Sequence, residues 1–344
     1  MPTNSLFAFG NPLLDIQVTN GEALLKKYNL KPNDAILAEE AHAPIYDEIA
    51  ANYAVAYVAG GAAQNAARAA AYVLPPESVV FSGAVGDDDL AKQLRAANDK
   101  EGLKSAYYVL KGEKTGACAV VITGHHRSLV TTLRSAEKFN KDHLSTPEVA
   151  SYIDHAKFYY CEGYFLTHGV ESALEVAKKA SLASKVFVIN LSAPFIPQFF
   201  KAQLDSLLPY CDIVIGNEAE AEAYANAQGL PEPKNLPAIA QAIASLPKIN
   251  PSRPRIVVIT HGAESTILVS SEDIKNPKEY PVNKVPDDQI VDTNGAGDMF
   301  AGGFVAALIL GTSSSEAVEV GHRLGAMCIS QVGPQLKWPK ERVV

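Results

Sequence analysis

The sequence predicts an α/β protein: a large, mostly parallel sheet flanked by helices, with a small α/β lid. Three observations point there. Short β-rich runs alternate with amphipathic helical stretches through most of the 344 residues, the pattern of βαβ units. RIVVITHG is apolar almost throughout, as strands covered on both faces are. Two regions break the rhythm, residues 12–60 and 112–136, and are expected to pair into a separate small sheet.

In chain order, 12–60 mixes strands with short helices, and YVAGGAAQNAARAAAYV (57–73) passes from a strand through Gly60-Gly61 into an Ala-rich helix. TGACAVVITG and RSLVTTL read as a hairpin around His125-His126. KVFVINLS precedes the helical IPQFFKAQLDSLLPY, and CDIVIGN precedes EAEAEAYANAQG. RIVVITHG follows. QIVDTNGAGDMFAGGF (289–304) closes the series, a β-like run meeting a Gly-containing turn and then a helix-compatible stretch. There is no internal repeat or long linker, so lid and large domain should be tightly connected.

Composition is that of an ordinary globular protein. A net charge of -8 without any dense Lys/Arg run argues against nucleic acid as a partner. The four cysteines, Cys118, Cys161, Cys211 and Cys328, form no CxxC pair and read as reduced thiols, neither a zinc site nor a disulfide framework. The N-terminus lacks a basic region ahead of its apolar residues, and the run from Phe300 to Leu310 is too short to span a bilayer. A cytoplasmic monomer without membrane contact is expected.

The most informative segment is DTNGAGD. At a helix N-terminus, Asn294, Gly295, Ala296 and Gly297 would aim unpaired backbone N–H groups at an anion. Asp298 in the same turn would be out of place in a site that merely binds phosphate. It makes sense as a base taking the proton of an attacking hydroxyl while the amides hold developing charge. On the turn alone a plainer reading competes with this one, an N-cap with glycines that allow close packing.

DTNGAGD resembles the C-terminal signature of the ribokinase-like (PfkB) family of sugar and nucleoside kinases. The Gly60-Gly61 segment resembles that family's N-terminal signature, and FGNPLLD matches the start of its adenosine-kinase branch. LKPNDAILAE, TGACAVVITGHHRSL, GYFLT, NLSAPFI and GNEAEAEAYA follow in the order of that branch, so the resemblance covers nearly the whole chain. It implies ATP-dependent phosphorylation of the adenosine 5′-hydroxyl to AMP and ADP, with adenosine and ATP as the bound partners and Mg2+ held mainly through ATP phosphates and water.

The resemblance implies roles residue by residue. Asn11 and Asp15 would grasp the ribose 2′- and 3′-hydroxyls; a turn Asn with a solvated Asp is the plainer reading. Gly60 and Gly61 would supply a hinge or close approach, and Asn65 a hydroxyl contact. Leu13, Leu37, Leu129, Phe165 and Phe195, with Cys118 nearby and Asn190 in NLSAPFI, would surround the acceptor, though singly any of the apolar ones is more often core. Arg127 would meet the transferred phosphoryl group. Asn217 and Glu220 match the NxxE motif that organises Mg2+ and phosphate, and Thr260, Gly262 and His322 match the ATP side. Where the branch carries Gln before ILAE, facing the base, this chain has Ala35.

Four rival readings stay open: a sugar kinase with the same mechanism, a kinase for another purine nucleoside, a non-catalytic nucleoside sensor and a nicotinamide dehydrogenase. FGNPLLD favours a nucleoside over a sugar, the intact Asp298 disfavours a sensor, and no GxGxxG follows the first strand.

Overall fold

The computed structural model of the chain describes residues 4–31, 35–124 and 126–344. His125 of the expected hairpin tip, residues 32–34 and the side chain of Ala35 lie outside the described residues.

Apolar strands with both faces covered build the large sheet. Its order is Lys278–Tyr280, Glu264–Ser270, Ile256–His261, Ile213–Asn217, Val186–Asn190, Phe158–Glu162, Leu6–Phe9, Val79–Ser82 and Lys104–Ser105. Pairing is parallel from Ile256–His261 through Lys104–Ser105, and Glu264–Ser270 alone runs against the rest, pairing antiparallel with both Ile256–His261 and Lys278–Tyr280. Strand alternation sends Leu6 and Ala8 into one core and Phe7 and Phe9 into the other. The first core packs the sheet on the Ala62–Val73, Ala296–Ile309 and Ser314–Ile329 helices, with Phe300 stacked on Phe304. Each fully buried Leu or Phe there contributes about 1.5–3 kcal/mol.

The smaller five-stranded sheet is ordered Ala35–Leu37, His126–Thr132, Ala117–Thr123, Leu13–Thr19, Val55–Gly60. Ala117–Thr123 and His126–Thr132 pair antiparallel as the expected hairpin. One face is apolar: Ile16, Val18, Ala119, Val121 and Val130 pack on Leu24, Ile45 and Ile49. The opposite face carries Leu13, Asp15, Cys118 and Thr131, and it looks onto the large sheet's edge.

The chain leaves the large sheet through Gly10–Pro12 and returns through Gly61, and these two crossings touch. Gly61 has φ +90, and a Cβ there would stand 2.1 Å from the Asn11 carbonyl oxygen. Only glycine fits.

One expected strand is absent. The β-like run before DTNGAGD joins no sheet: the Val291 and Asp292 N–H groups both donate to the Ile329 carbonyl, at 2.7 and 3.2 Å. The C-terminal turn of a helix, with carbonyls left over, outcompetes a strand edge for those donors. Among the described residues no helix is long and apolar enough to cross a membrane. All four cysteines are buried and free.

Candidate active site

Between the face of the small sheet that carries Leu13 and Asp15 and the C-terminal ends of the large sheet's strands lies a cavity of about 440 Å³. That is the position where open α/β sheets hold ligands and a size suited to a small molecule. Leu13, Asp15 and Cys118 line it from the small sheet, Gly61 and Asn65 from the crossing, and Asn294, Gly295, Gly297 and Asp298 from the DTNGAGD turn. Leu37, Leu129 and Phe195 add apolar walls, Leu37 being 56% exposed and so placed at the rim.

The floor is the start of the Ala296–Ile309 helix. Gly295 is its N-cap with φ 76, a left-handed turn that swings the chain into the helix. Gly297 and Asp298, its second and third residues, carry N–H groups for which a helix has no internal acceptor. The helix dipole adds positive potential at that spot. Asp298 Oδ2 accepts from Asn65 Nδ2 at 2.9 Å. Arg68, fully enclosed, donates to Asn65 Oδ1 at 3.2 Å and doubly to Glu101 at 2.8 Å. Asn65 is thereby fixed with its amide nitrogen toward the carboxylate. Burial pushes Asp298 up to about 7, and the Asn65 hydrogen bond holds against it.

Asp15 sits on the facing sheet, opposite Val58 and Cys118 in register. Burial pushes it up to about 7; Arg68 pulls it down, while Asp298 and Asp292 add to the rise. Gly60 leaves room for this carboxylate, since a Cβ there would lie 2.3 Å from Asp15 Oδ1. Asn11 is 2% exposed, and its Nδ2 has no hydrogen-bond partner among the described residues although the residue lines the cavity.

Glu162, at the end of the Phe158–Glu162 strand, was not singled out from sequence. Its two oxygens accept from the Asn11 N–H at 2.6 Å and the Ala63 N–H at 2.5 Å, stitching the two crossings together. Burial pushes Glu162 up to about 8, against the pull of those two donors. A lone Glu inside the apolar YYCEGYF run was the available signal.

Asn217 and Glu220 form a capping box at the head of the Glu218–Gln228 helix. Glu220 accepts from the Asn217 N–H and from Asn217 Nδ2, both at 2.9 Å, and the Glu220 N–H donates to Asn217 Oδ1 at 2.8 Å. Both side chains line the cavity. Burial pushes Glu220 up to about 7. Among the described residues no group of three or more His, Cys, Asp or Glu could hold a metal ion directly.

Arg127 reaches from the small sheet across to the turn, donating to Asp292 Oδ2 at 3.2 Å and to the Val291 carbonyl at 3.3 Å. It lines an adjoining cavity of about 550 Å³ that shares Leu129, Thr293 and Asn294 with the first.

Several expected contacts are placed elsewhere. Phe165 is fully buried, packed edge-on against Phe9 and Phe139, and its neighbour Tyr164 lines the cavity instead. The Gly163–Thr167 segment is a 3-10 turn, so adjacent residues diverge and the more apolar one takes the core. Asn190 turns away too, donating to Tyr160 Oη at 3.1 Å and accepting from the Ser192 N–H at 3.0 Å; Ser192 takes the wall position. Asn65 lines the cavity, and its amide is held there between Asp298 and Arg68. Thr260, Gly262 and His322 line neither cavity: Thr260 pairs with Asn217, Gly262 turns the chain at φ +53, and His322 Nε2 lies 2.8 Å from Thr266 Oγ1.

The family model for pfkB family carbohydrate kinases matches residues 23–341. An adenosine kinase of Schizophyllum commune is 60% identical over 344 residues, covering all of both chains, and one of Schizosaccharomyces pombe is 46% identical over 99% of each. Among solved structures, Anopheles gambiae adenosine kinase in complex with P1,P4-di(adenosine-5) tetraphosphate superposes with a TM-score of 0.89 at 41% identity, covering 94% of this chain and 95% of that one. Schistosoma mansoni adenosine kinase in complex with adenosine gives 0.90 at 36% identity over 97% of each. With a carboxylate at a helix N-terminus, an enclosed cavity above it and relatives along its full length, the chain belongs to the pfkB family of carbohydrate kinases, in its adenosine kinase group.

Proposed function

We propose that this cavity phosphorylates adenosine at its 5′-hydroxyl, taking the γ-phosphoryl group from ATP and releasing AMP and ADP. The observation that carries the reading is Asp298, held by Asn65 beside the free N–H groups of the Ala296–Ile309 helix. Asp15 and Asn11 bind the ribose hydroxyls, and Leu13, Leu37, Leu129, Tyr164 and Phe195 enclose the base. In the step itself the 5′-oxygen attacks the γ-phosphorus in line, the bond to the bridging oxygen of ADP breaks, and the hydroxyl proton passes to Asp298. The Gly297 and Asp298 N–H groups face the charge on the transferring group, whereas those of Asn294 and Ala296, also expected there, are taken by Asp292 Oδ1 and the Thr293 carbonyl. Asp298 at about 7 stands near neutral pH, where a general base combines availability with basicity.

Arg127 is placed to meet the phosphoryl group from the lid side. Its ion pair with Asp292 also ties the small sheet to the turn, so residues 12–60 and 112–136 act as a lid that shields the reaction from water. Thr260, Gly262 and His322, which line neither cavity, are assigned to the ATP side only by the resemblance to adenosine kinases. Mg2+ neutralises phosphate charge when bound with ATP. Asn217 and Glu220, which hold each other in a capping box at the cavity wall, would hold it through water.

A radiolabel transfer assay from ATP to a panel of nucleosides and sugars tests the reading. Turnover of adenosine well above ribose and fructose supports it, whereas a preference for a free sugar overturns it.

A further inference from the structure

Asn11 offers one amide to the cavity, and which end of that amide faces the ligand decides what it recognises. Its Oδ1 lies 2.9 Å from His168 Nε2, while its Nδ2 is enclosed without a hydrogen-bond partner among the described residues. His168 comes from just beyond the Gly163–Thr167 turn, with its ring edge-on to Phe165 at 5.1 Å between centroids. Its Nδ1 has no hydrogen-bond partner among the described residues.

Two arrangements are compatible with those positions. With the proton on Nε2, His168 donates to Asn11 Oδ1, its Nδ1 keeps only a lone pair, and Asn11 turns its N–H groups to the cavity. With the proton on Nδ1, the ring buries an orphaned N–H, and Asn11 must flip to present its oxygen. A ligand in the cavity can supply the acceptor that the Asn11 N–H groups need, whereas an N–H on His168 Nδ1 would stay enclosed without one, so the first arrangement prevails when the site is filled. Burial also keeps the ring neutral, lowering it to about 4. Glu162 completes the setting by fixing the Asn11 backbone N–H at 2.6 Å.

We infer that His168 is a positioning residue that locks the Asn11 amide with its N–H groups toward the acceptor, so that Asn11 recognises a hydroxyl by its lone pairs while Asp15 takes hydroxyl protons. The two residues then read a vicinal diol with opposite hydrogen-bond polarity. This rests on Asn11 contacting the acceptor, as proposed above.

The test is a double-mutant cycle on the full chain with adenosine and its 2′- and 3′-deoxy analogues. Asn11→Ala should raise KM for adenosine roughly 10- to 100-fold with little change in KM for ATP. His168→Leu should raise the same KM roughly tenfold and lower the preference for adenosine over a deoxy analogue. His168→Gln, which keeps an N–H donor at similar reach, should restore most of the loss. The double variant Asn11→Ala/His168→Leu should bind adenosine no worse than Asn11→Ala alone, because His168 acts through Asn11. Additive losses, or a His168→Leu variant with unchanged discrimination, overturn the positioning role while leaving the acceptor site intact. An Asn11→Ala variant with wild-type KM for adenosine overturns instead the placement of the acceptor against Asn11.

Discussion

Replacing Asp298 with Asn removes a charge, keeps the shape and leaves an oxygen for Asn65 Nδ2 to donate to. Two effects of opposite sign should follow. Turnover should fall by about 10²- to 10⁴-fold, because an amide cannot take the hydroxyl proton, and the loss should sit in kcat. Stability should rise. Burial raises the folded carboxyl from 3.8 to about 7, so its favourable protonated form is fully available below about pH 4 and that contribution is lost as pH climbs through 7. The interval from 3.8 to about 7 corresponds to a ceiling of roughly 4 kcal/mol. Partial exposure of the side chain at the cavity wall reduces this, leaving about 1–2 kcal/mol. The variant should therefore melt a few degrees above the wild type at pH 8.5 and nearly with it at pH 4.5. Differential scanning calorimetry at the two pH values, with single-turnover kinetics at pH 8, reads both effects. A variant with near wild-type kcat, or one less stable than the wild type at pH 8.5, would refute the assignment of a strained base to this position.

The same reasoning sets other expectations. Asp15→Ala should weaken adenosine roughly tenfold to a hundredfold while leaving ATP affinity nearly intact, as calorimetry on each ligand will read; equal weakening of both would make Asp15 structural. In the wild type, kcat/KM for adenosine should rise with pH through about 7, since Asp15 and Asp298 must both be ionised and burial raises both to about 7. Arg68→Met removes the charge that pulls Asp15 down, so it should move that acid limb to higher pH. Gly61→Ala places a methyl 2.1 Å from the Asn11 carbonyl at φ +90 and should cost on the order of 1–3 kcal/mol in urea denaturation; a neutral change would mean that the crossing relaxes freely. Saturating adenosine should compact the scattering profile in solution if the small sheet closes as a lid, and an identical profile would point to a preformed site.

Much of the architecture is written in local pattern. Unbroken apolar runs mark the parallel strands, and the hairpin of the small sheet is visible as two β-rich runs flanking a polar turn. The DTNGAGD turn is legible because its chemistry is local: glycines, a helix start and a carboxylate within seven residues. What escapes is long-range. Nothing near Glu162 in sequence says that its carboxylate will meet the N–H groups of Asn11 and Ala63, 151 and 99 residues away. Phe165 and Tyr164 differ by one step in a 3-10 turn, and only the packed aromatic cluster of Phe9 and Phe139 decides which of them is swallowed. Asn190 likewise has the right chemistry for a ligand and is spent on holding its own turn.

The strand nearest the N-terminus has a bearing on synthesis. Leu6–Phe9 lies deep in the large sheet, paired with Val79–Ser82 on one side and Phe158–Glu162 on the other. Of the large sheet's strands this central one is therefore synthesised first, and it waits for a neighbour roughly 150 residues behind it, or about 8–30 s at ordinary elongation rates. Until then Phe7 and Phe9, both destined for the core, have no partner on that flank. Translation speed across residues 80–160 should thus govern how much of this protein leaves the ribosome folded. Synonymous codon changes confined to that interval could alter the yield of soluble protein without touching a single amino acid.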